Sequence, residues 1–202
     1  RNLSRGLGDV YKRQIDDCHA TGFVGRNGRG TSEHYGIKDG VDILTGTLGK
    51  ALGGASGGFV CANKSVVELL KQKSRPYLFS NALSPSIVSA TMKALEIVES
   101  EPDRRQRIYE NSKYFRGEMK KLGFEILGTD HPIVPVMLGD AKVAQHMSKK
   151  LLENGIYAVG FFYPVVPKNK ARIRLQINSE HTKEELDKVI DTIKKEGQEL
   201  NF

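Results

Sequence analysis

From residue 84 onward, apolar positions return at helical spacing. Ser84 offers an N-cap and Pro85 a preset first turn, and Ile87, Val88, Met92, Leu95 and Val98 follow, so a helix is predicted there. A Glu-Pro step at Glu101 and Pro102 breaks the pattern and places a domain boundary between residues 15–100 and 101–202. The next helix carries Ile108, Phe115, Met119 and Leu122 and stops at Gly123. Asp140 caps another that ends near Asn154-Gly155. Thr182-x-x-Glu185 opens the last, with Leu186, Val189, Ile190 and Ile193 on one face. Apolar runs between these helices predict strands at 124–127, 133–138, 156–160 and 172–177. The second region is thus expected to be a small α+β domain.

The first region is patterned differently. Strands are predicted at Val41–Leu44, at Gly58–Ala62 and at Tyr77–Ser80, with Ser65-x-x-Glu68 capping a helix that runs to about Lys73. Between the first two strands lies a run of small residues around Lys50. A Gly-rich loop follows Ile15-Asp16-Asp17. This reads as part of an α/β domain with its strand-end loops exposed. Residues 1–14 show neither strand nor helix period, begin with Arg and lack the apolar core of a signal peptide, and are expected to be a non-native or disordered leader.

The chain has 202 residues, 39% hydrophobic and 27% charged, enough for a buried core and too balanced for wholesale disorder. No apolar run approaches the roughly 18 residues of a membrane span. The two cysteines, Cys18 and Cys61, form no CxxC pair, so neither a disulfide framework nor a cysteine zinc site is expected. The histidines show no metal-ligand spacing. The net charge of +7 brings nucleic acid into question, but the basic residues are spread over amphipathic helices rather than clustered, and that class is set aside. Residues 1–14 carry +3 of this charge, and the remaining +4 could steer a phosphate-bearing substrate.

Three segments carry candidate chemistry. Thr45–Gly58, TGTLGKALGGASGG, sets one lysine among residues of little bulk. A phosphate-binding P-loop fails here, because Leu44 stands where it needs Gly and Ala51 where it needs Ser or Thr. Gly25-x-x-Gly28-x-Gly30 has the dinucleotide spacing reversed. A lysine that forms a Schiff base does fit, since glycines let a planar cofactor approach, and Thr47 lies within reach of a phosphate oxygen. The competing reading is a surface lysine in a flexible loop. Asp16 and His19 form the second segment: a buried carboxylate facing a pyridine nitrogen would keep it protonated, with the His beside the ring hydroxyl. A capping Asp with a satisfied His is the alternative. In the third, Arg172 and Arg174 share one strand face and suit a carboxylate, unless the strand is a solvated edge.

In this order the strings DDCHATGFVGRNGRG, TGTLGKALGGASGGF, RPYLFSNALSP, VPVMLGD and GFFYPVVPKNKARIR resemble the α-oxoamine synthase family of pyridoxal-phosphate enzymes. The resemblance runs from Ile15 to the last helix and implies an aspartate-aminotransferase-like α/β fold (fold type I), of which this chain covers roughly the second half. It implies that Lys50 forms the internal aldimine and moves protons at the substrate carbon, that Asp16 pairs with the pyridine nitrogen and that His19 approaches the ring hydroxyl. Thr47 would line the phosphate pocket, Ser80 and Asn81 would reach the cofactor of a neighbouring subunit, and Arg174 would grip a glycine carboxylate. PYLFSN and GFFYPVVPKNKARIR favour the branch that joins glycine to acetyl-CoA, giving 2-amino-3-oxobutyrate and CoA. A sister synthase with another acyl-CoA or amino acid is the alternative, and a non-catalytic dimerisation or polyanion-binding piece is the alternative of another class. The resemblance further implies a homodimer with shared sites, a pathway link to threonine dehydrogenase, and a cytoplasmic location (mitochondrial in a eukaryote). Burial and a nearby cationic neighbourhood are the usual means of making such a lysine neutral near pH 7. The family's stacking group, phosphate loop and second ring contact lie upstream of these strings, so the chain as given is expected to be catalytically incomplete.

Overall fold

A parallel pair of strands organises the first half of the chain. β1 (Gln14–Asp16) pairs with β2 (Ile43–Thr47) in the register Gln14↔Ile43 to Asp16↔Thr45. β3 (Gly58–Ala62) returns antiparallel along β2, Thr47 opposite Gly58, and completes the order β1-β2-β3. This computed structural model describes residues 12–200, which fall into two compact units, the first ending at Pro102 and the second starting at Asp103. Most of the expected leader lies outside the described residues. Its last residue, Gln14, is in β1, and the backbone N–H of Arg13 donates to the Asp42 carboxylate while its carbonyl accepts from Asp42 and Ile43.

The strand predicted at Val41–Leu44 is displaced towards Thr47. Asp42 is engaged by Arg13, and Gly46 allows the ring of Phe59 to lie across β2, where a Cβ would stand 2.2 Å from it. A short helix α1 (Thr31–His34) lies within the β1–β2 connection. α2 (Lys64–Lys73) is capped by Asn63, whose side chain accepts from Val66 N–H, rather than by the predicted Ser65. Ser65 instead donates its hydroxyl to the same Asn63 oxygen. The strand predicted at Tyr77–Ser80 is a helix, α3 (Arg75–Phe79). Pro76 presets the first turn, and the aromatic pair Tyr77 and Phe79 is exposed instead of packed on a sheet, so β propensity has nothing to act through. α4 (Pro85–Ser100) begins as predicted, Ser84 accepting from Ile87 N–H.

The second unit packs three helices on one face of an antiparallel sheet. α5 (Pro102–Lys121), β4 (Ile133–Gly139), α6 (Ala141–Glu153), β5 (Val159–Phe161), β6 (Ala171–Gln176) and α7 (Lys183–Glu199) follow in turn, with strand order β4-β6-β5. Phe115 and Met119 from α5, Met147 and Leu151 from α6, and Leu186, Ile190 and Ile193 from α7 meet Val134, Val136 and Ile173 of the sheet in one core. The Asp140 cap and the Thr182–Glu185 capping box are both formed. Of the strand predicted at 124–127 only the bridge Ile126↔Val136 remains. The buried Arg116 guanidinium gathers the carbonyls of Leu127, Gly128, His131 and Ile133, holding the turn between the bridge and β4. Burial lowers the pKa of Arg116, and these carbonyls are what make the buried cation tolerable.

Candidate active site

Because β1 and β2 are parallel, both end at the same edge of their sheet. Asp16 ends β1 and Thr47 ends β2, so the loops carrying His19 and Lys50 leave side by side. Such carboxyl edges collect ligand-binding side chains in α/β sheets. Asp16 is held below its ordinary carboxylate value. The Cys18 thiol and backbone N–H both donate to it, the latter at 3.0 Å, and the nearby Lys50 and His19 charges act in the same direction. The same bond pushes the Cys18 thiol up.

The structure buries the other member of the acidic pair. Asp17 is 1% exposed, whereas Asp16 and His19 are exposed, because successive residues at a strand end face opposite ways. The expected buried carboxylate at Asp16 is corrected accordingly. Asp17 organises the turn that presents His19. Its N–H donates to Thr45 O, its carbonyl accepts from Ala20 and Thr21, and its carboxylate accepts from the Thr21 hydroxyl at 2.7 Å and Thr31 N–H at 3.0 Å. Gly30 has φ +88°, and a Cβ there would lie 1.7 Å from Asp17 Oδ2. At the outer end of this loop, Glu33 accepts from the N–H groups of Asn27 and Arg29. Sequence reasoning missed both acids. The signal for Asp17 was available in the doubled Asp: one of two consecutive strand-end carboxylates must face inward.

The lysine loop is anchored by its neighbours. Leu48 and Leu52 are buried on either side of Lys50 and leave it exposed. The Thr47 hydroxyl closes the loop, donating to Gly57 O at 3.3 Å and accepting from Gly49 N–H at 3.1 Å. The glycines divide into two groups. Gly46, Gly57 and Gly58 are packed against Phe59, Leu83 and the Gly46 carbonyl, where a Cβ would clash. At Gly53 a Cβ would meet nothing, and at Gly49 and Gly54 it would find only contacts of 3.4 Å or more. That open, glycine-lined side beside a lysine, a carboxylate and a histidine suits a flat ring bearing a carbonyl, a basic nitrogen and an anionic tail. Among the described residues no cluster of His, Cys, Asp or Glu is arranged to hold a metal.

Residues 14–193 match the family described as aminotransferase class I and II. The chain belongs to that family. Within it, the chain is 54% identical over 196 residues to the 2-amino-3-ketobutyrate coenzyme A ligase of Salmonella typhimurium, covering 96% of this chain and 49% of the relative. It is 46% identical over 186 residues to the 8-amino-7-oxononanoate synthase of Thermosipho melanesiensis, covering 92% and 47%. Serine palmitoyltransferase from S. paucimobilis, solved with a bound PLP–myriocin aldimine, superposes with TM-score 0.88 at 30% identity, over 94% of this chain and 48% of that one. The chain spans about half the length of the curated relatives it matches. The expected type I α/β fold is the fold of this aminotransferase-family chain.

Ser80 and Asn81 are exposed just beyond α3 in the first unit. Arg174 belongs to the second unit. There β6 is the central strand, so the solvated-edge alternative for Arg172 and Arg174 is excluded. The Arg174 guanidinium lies over the Phe161 ring, 5.8 Å from its centre.

Proposed function

We propose that this chain carries the lysine-bearing part of a pyridoxal-phosphate-dependent acyltransferase that joins glycine to acetyl-CoA, giving 2-amino-3-oxobutyrate and CoA. The observation behind it is the meeting of Asp16, His19, Thr47 and Lys50 on the shared edge of two parallel strands, with Lys50 and His19 near enough to act on the Asp16 carboxylate. The likeness to a 2-amino-3-ketobutyrate coenzyme A ligase supports the choice of substrates. A binding module has no need of Lys50, Asp16 and His19 together, which weighs against the non-catalytic alternative.

When bound, the cofactor supplies an electrophilic carbon for an amino group and a ring that accepts electron density from a carbanion. Lys50 would hold it covalently and, once released by glycine, would take a proton from the glycine α carbon. Asp16 remains an anion near neutral pH and would keep the ring nitrogen protonated. His19 would fix the hydrogen bonding of the ring hydroxyl. Thr47 keeps a lone pair for the cofactor's surroundings, but its proton serves the Gly57 carbonyl, so a bond to phosphate requires that carbonyl to be released. Arg174 would bind the glycine carboxylate. Ser80 and Asn81 would serve the site of a second copy in a homodimer. A link to threonine dehydrogenase is a pathway expectation that rests on the family likeness alone.

Borohydride reduction of the cofactor-loaded protein followed by peptide mapping tests this directly. The label is expected on the peptide containing Lys50, and a label on any other lysine would remove the assignment. The 46% likeness to an 8-amino-7-oxononanoate synthase favours a second reading, a sister synthase with a different acyl-CoA or amino acid. Turnover across a panel of acyl-CoA chain lengths with glycine and L-alanine separates the two.

A further inference from the structure

The three helices of the second unit cover one face of its sheet, and both arginines stand on the other. Ala171, Ile173 and Leu175 of β6 are buried on the helix side, so Arg172 and Arg174 project oppositely. The strand register sets their neighbours. Arg172 lies between Met137 of β4 and Phe161 of β5, and Arg174 lies between Pro135 and Val159. Two guanidinium groups therefore share an apolar platform on a central strand, one of them spread over an aromatic ring.

Arg172 is incompletely satisfied in this arrangement. Its Nε is buried and has no hydrogen-bond partner. A buried N–H without an acceptor is costly, and a second cation two residues away adds repulsion. A carboxylate relieves both at once. Its two oxygens match the Nε edge of a guanidinium, and its charge lies between the two cations. A lone ammonium in place of Arg172 offers no such fork.

We propose that Arg172 is a second substrate-binding residue, forming with Arg174 a two-arginine clamp for the carboxylate of the amino-acid substrate, one oxygen of which is received by Arg172 Nε–H. This rests on the reading of Arg174 as the carboxylate site and extends it to a residue that the family resemblance did not single out. The clamp selects amino acids over simple amines, because only the former bring the anion.

The test is titration of the cofactor absorbance in the cofactor-loaded full-length protein with two amines, glycine and methylamine, which lacks the carboxylate. Arg172→Gln is expected to weaken glycine about 10- to 100-fold, the range of a lost charge-assisted bond, and to leave methylamine within about twofold. Arg172→Lys keeps the charge without the fork. It is expected to recover only part of the loss, and it serves as the variant of choice should the glutamine substitution fail to fold. Unchanged glycine affinity in the Arg172 variants, with a loss in Arg174→Gln, overturns the clamp and leaves the Arg174 reading standing. Equal losses for glycine and methylamine assign Arg172 a purely structural role and also overturn it. Normal glycine binding by Arg174→Gln removes the carboxylate site on this face altogether, and the clamp with it.

Discussion

The two halves of this chain use apolar residues in opposite ways. In the second unit they converge, seventeen buried hydrophobic residues forming one core from three helices, two strands and the loops beside them. Among the described residues of the first unit only Ala20, Leu48 and Leu52 are buried hydrophobics, and two of these three brace Lys50. The stripe of α4 is as regular as any in the second unit, yet Val88, Met92 and Leu95 are 42%, 61% and 45% exposed. A helical stripe states which face favours burial; whether a neighbour covers that face is decided elsewhere. The contrast extends to polar groups. The second unit buries Arg116 to shape a loop, whereas the first buries Asp17 to present His19.

The sharpest test of this contrast separates chemistry from stability. Lys50→Ala is expected to lower turnover of the loaded enzyme by on the order of 10³-fold or more. Urea unfolding should move by no more than about 0.5 kcal/mol, because Lys50 is exposed. A large loss of stability would show that Lys50 has a packing role the geometry does not assign to it.

Next in size is a matched pair of core and stripe. Phe115→Ala should cost about 3–5 kcal/mol, since Phe115 is fully buried. Met92→Ala in α4 should cost less than about 1 kcal/mol in the same chain. Similar midpoint shifts in chemical denaturation would erase the distinction between the halves.

Gly30→Ala tests a place where the first unit is tightly packed around a charge. The positive φ and the clash with Asp17 together should cost about 2–3 kcal/mol locally, read as faster amide exchange across residues 17–31. Exchange unchanged in that loop would mean that the Asp17 contacts do not hold it.

The smallest effect is confined to high pH. Tyr114 donates to Asp187 between α5 and α7, and that bond raises its pKa from 10.0 to about 12. The phenol is raised relative to the unfolded chain, so its contribution is complete below pH 10 and is lost as pH rises through 12. Tyr114→Phe should flatten the decline in stability between those values, measured by urea unfolding at pH 9, 10, 11 and 12. A decline as steep in the variant would place its origin in other groups.

Much of the candidate site could be read directly from the residues, because each key group sits in a distinctive local string. Lys50 stands alone among small residues, and Asp16 and His19 follow a strand end. Which carboxylate turns inward could not be read without knowing which face of β1 meets the loop. Arg172 and Arg174 were legible as a same-face pair, but only the order β4-β6-β5 makes their strand central and leaves Arg172 Nε buried.

What the residues determined by themselves is the local grammar: the Ser84-Pro85 start of α4, the Asp140 cap, the Thr182–Glu185 box and the Pro102 break. These are settled within a few residues, by capping bonds or by a proline's missing N–H, which sequence spacing contains in full. What only the tertiary structure decided is pairing and cover. Residues 77–79 lie in a helix with no partner strand, and the 124–127 segment keeps a single bridge to β4 before Arg116 gathers the carbonyls of Leu127 and the turn beyond it. Lys50 came to face outward between two inward leucines. Each of these outcomes depends on partners far away in sequence, and no local spacing records them.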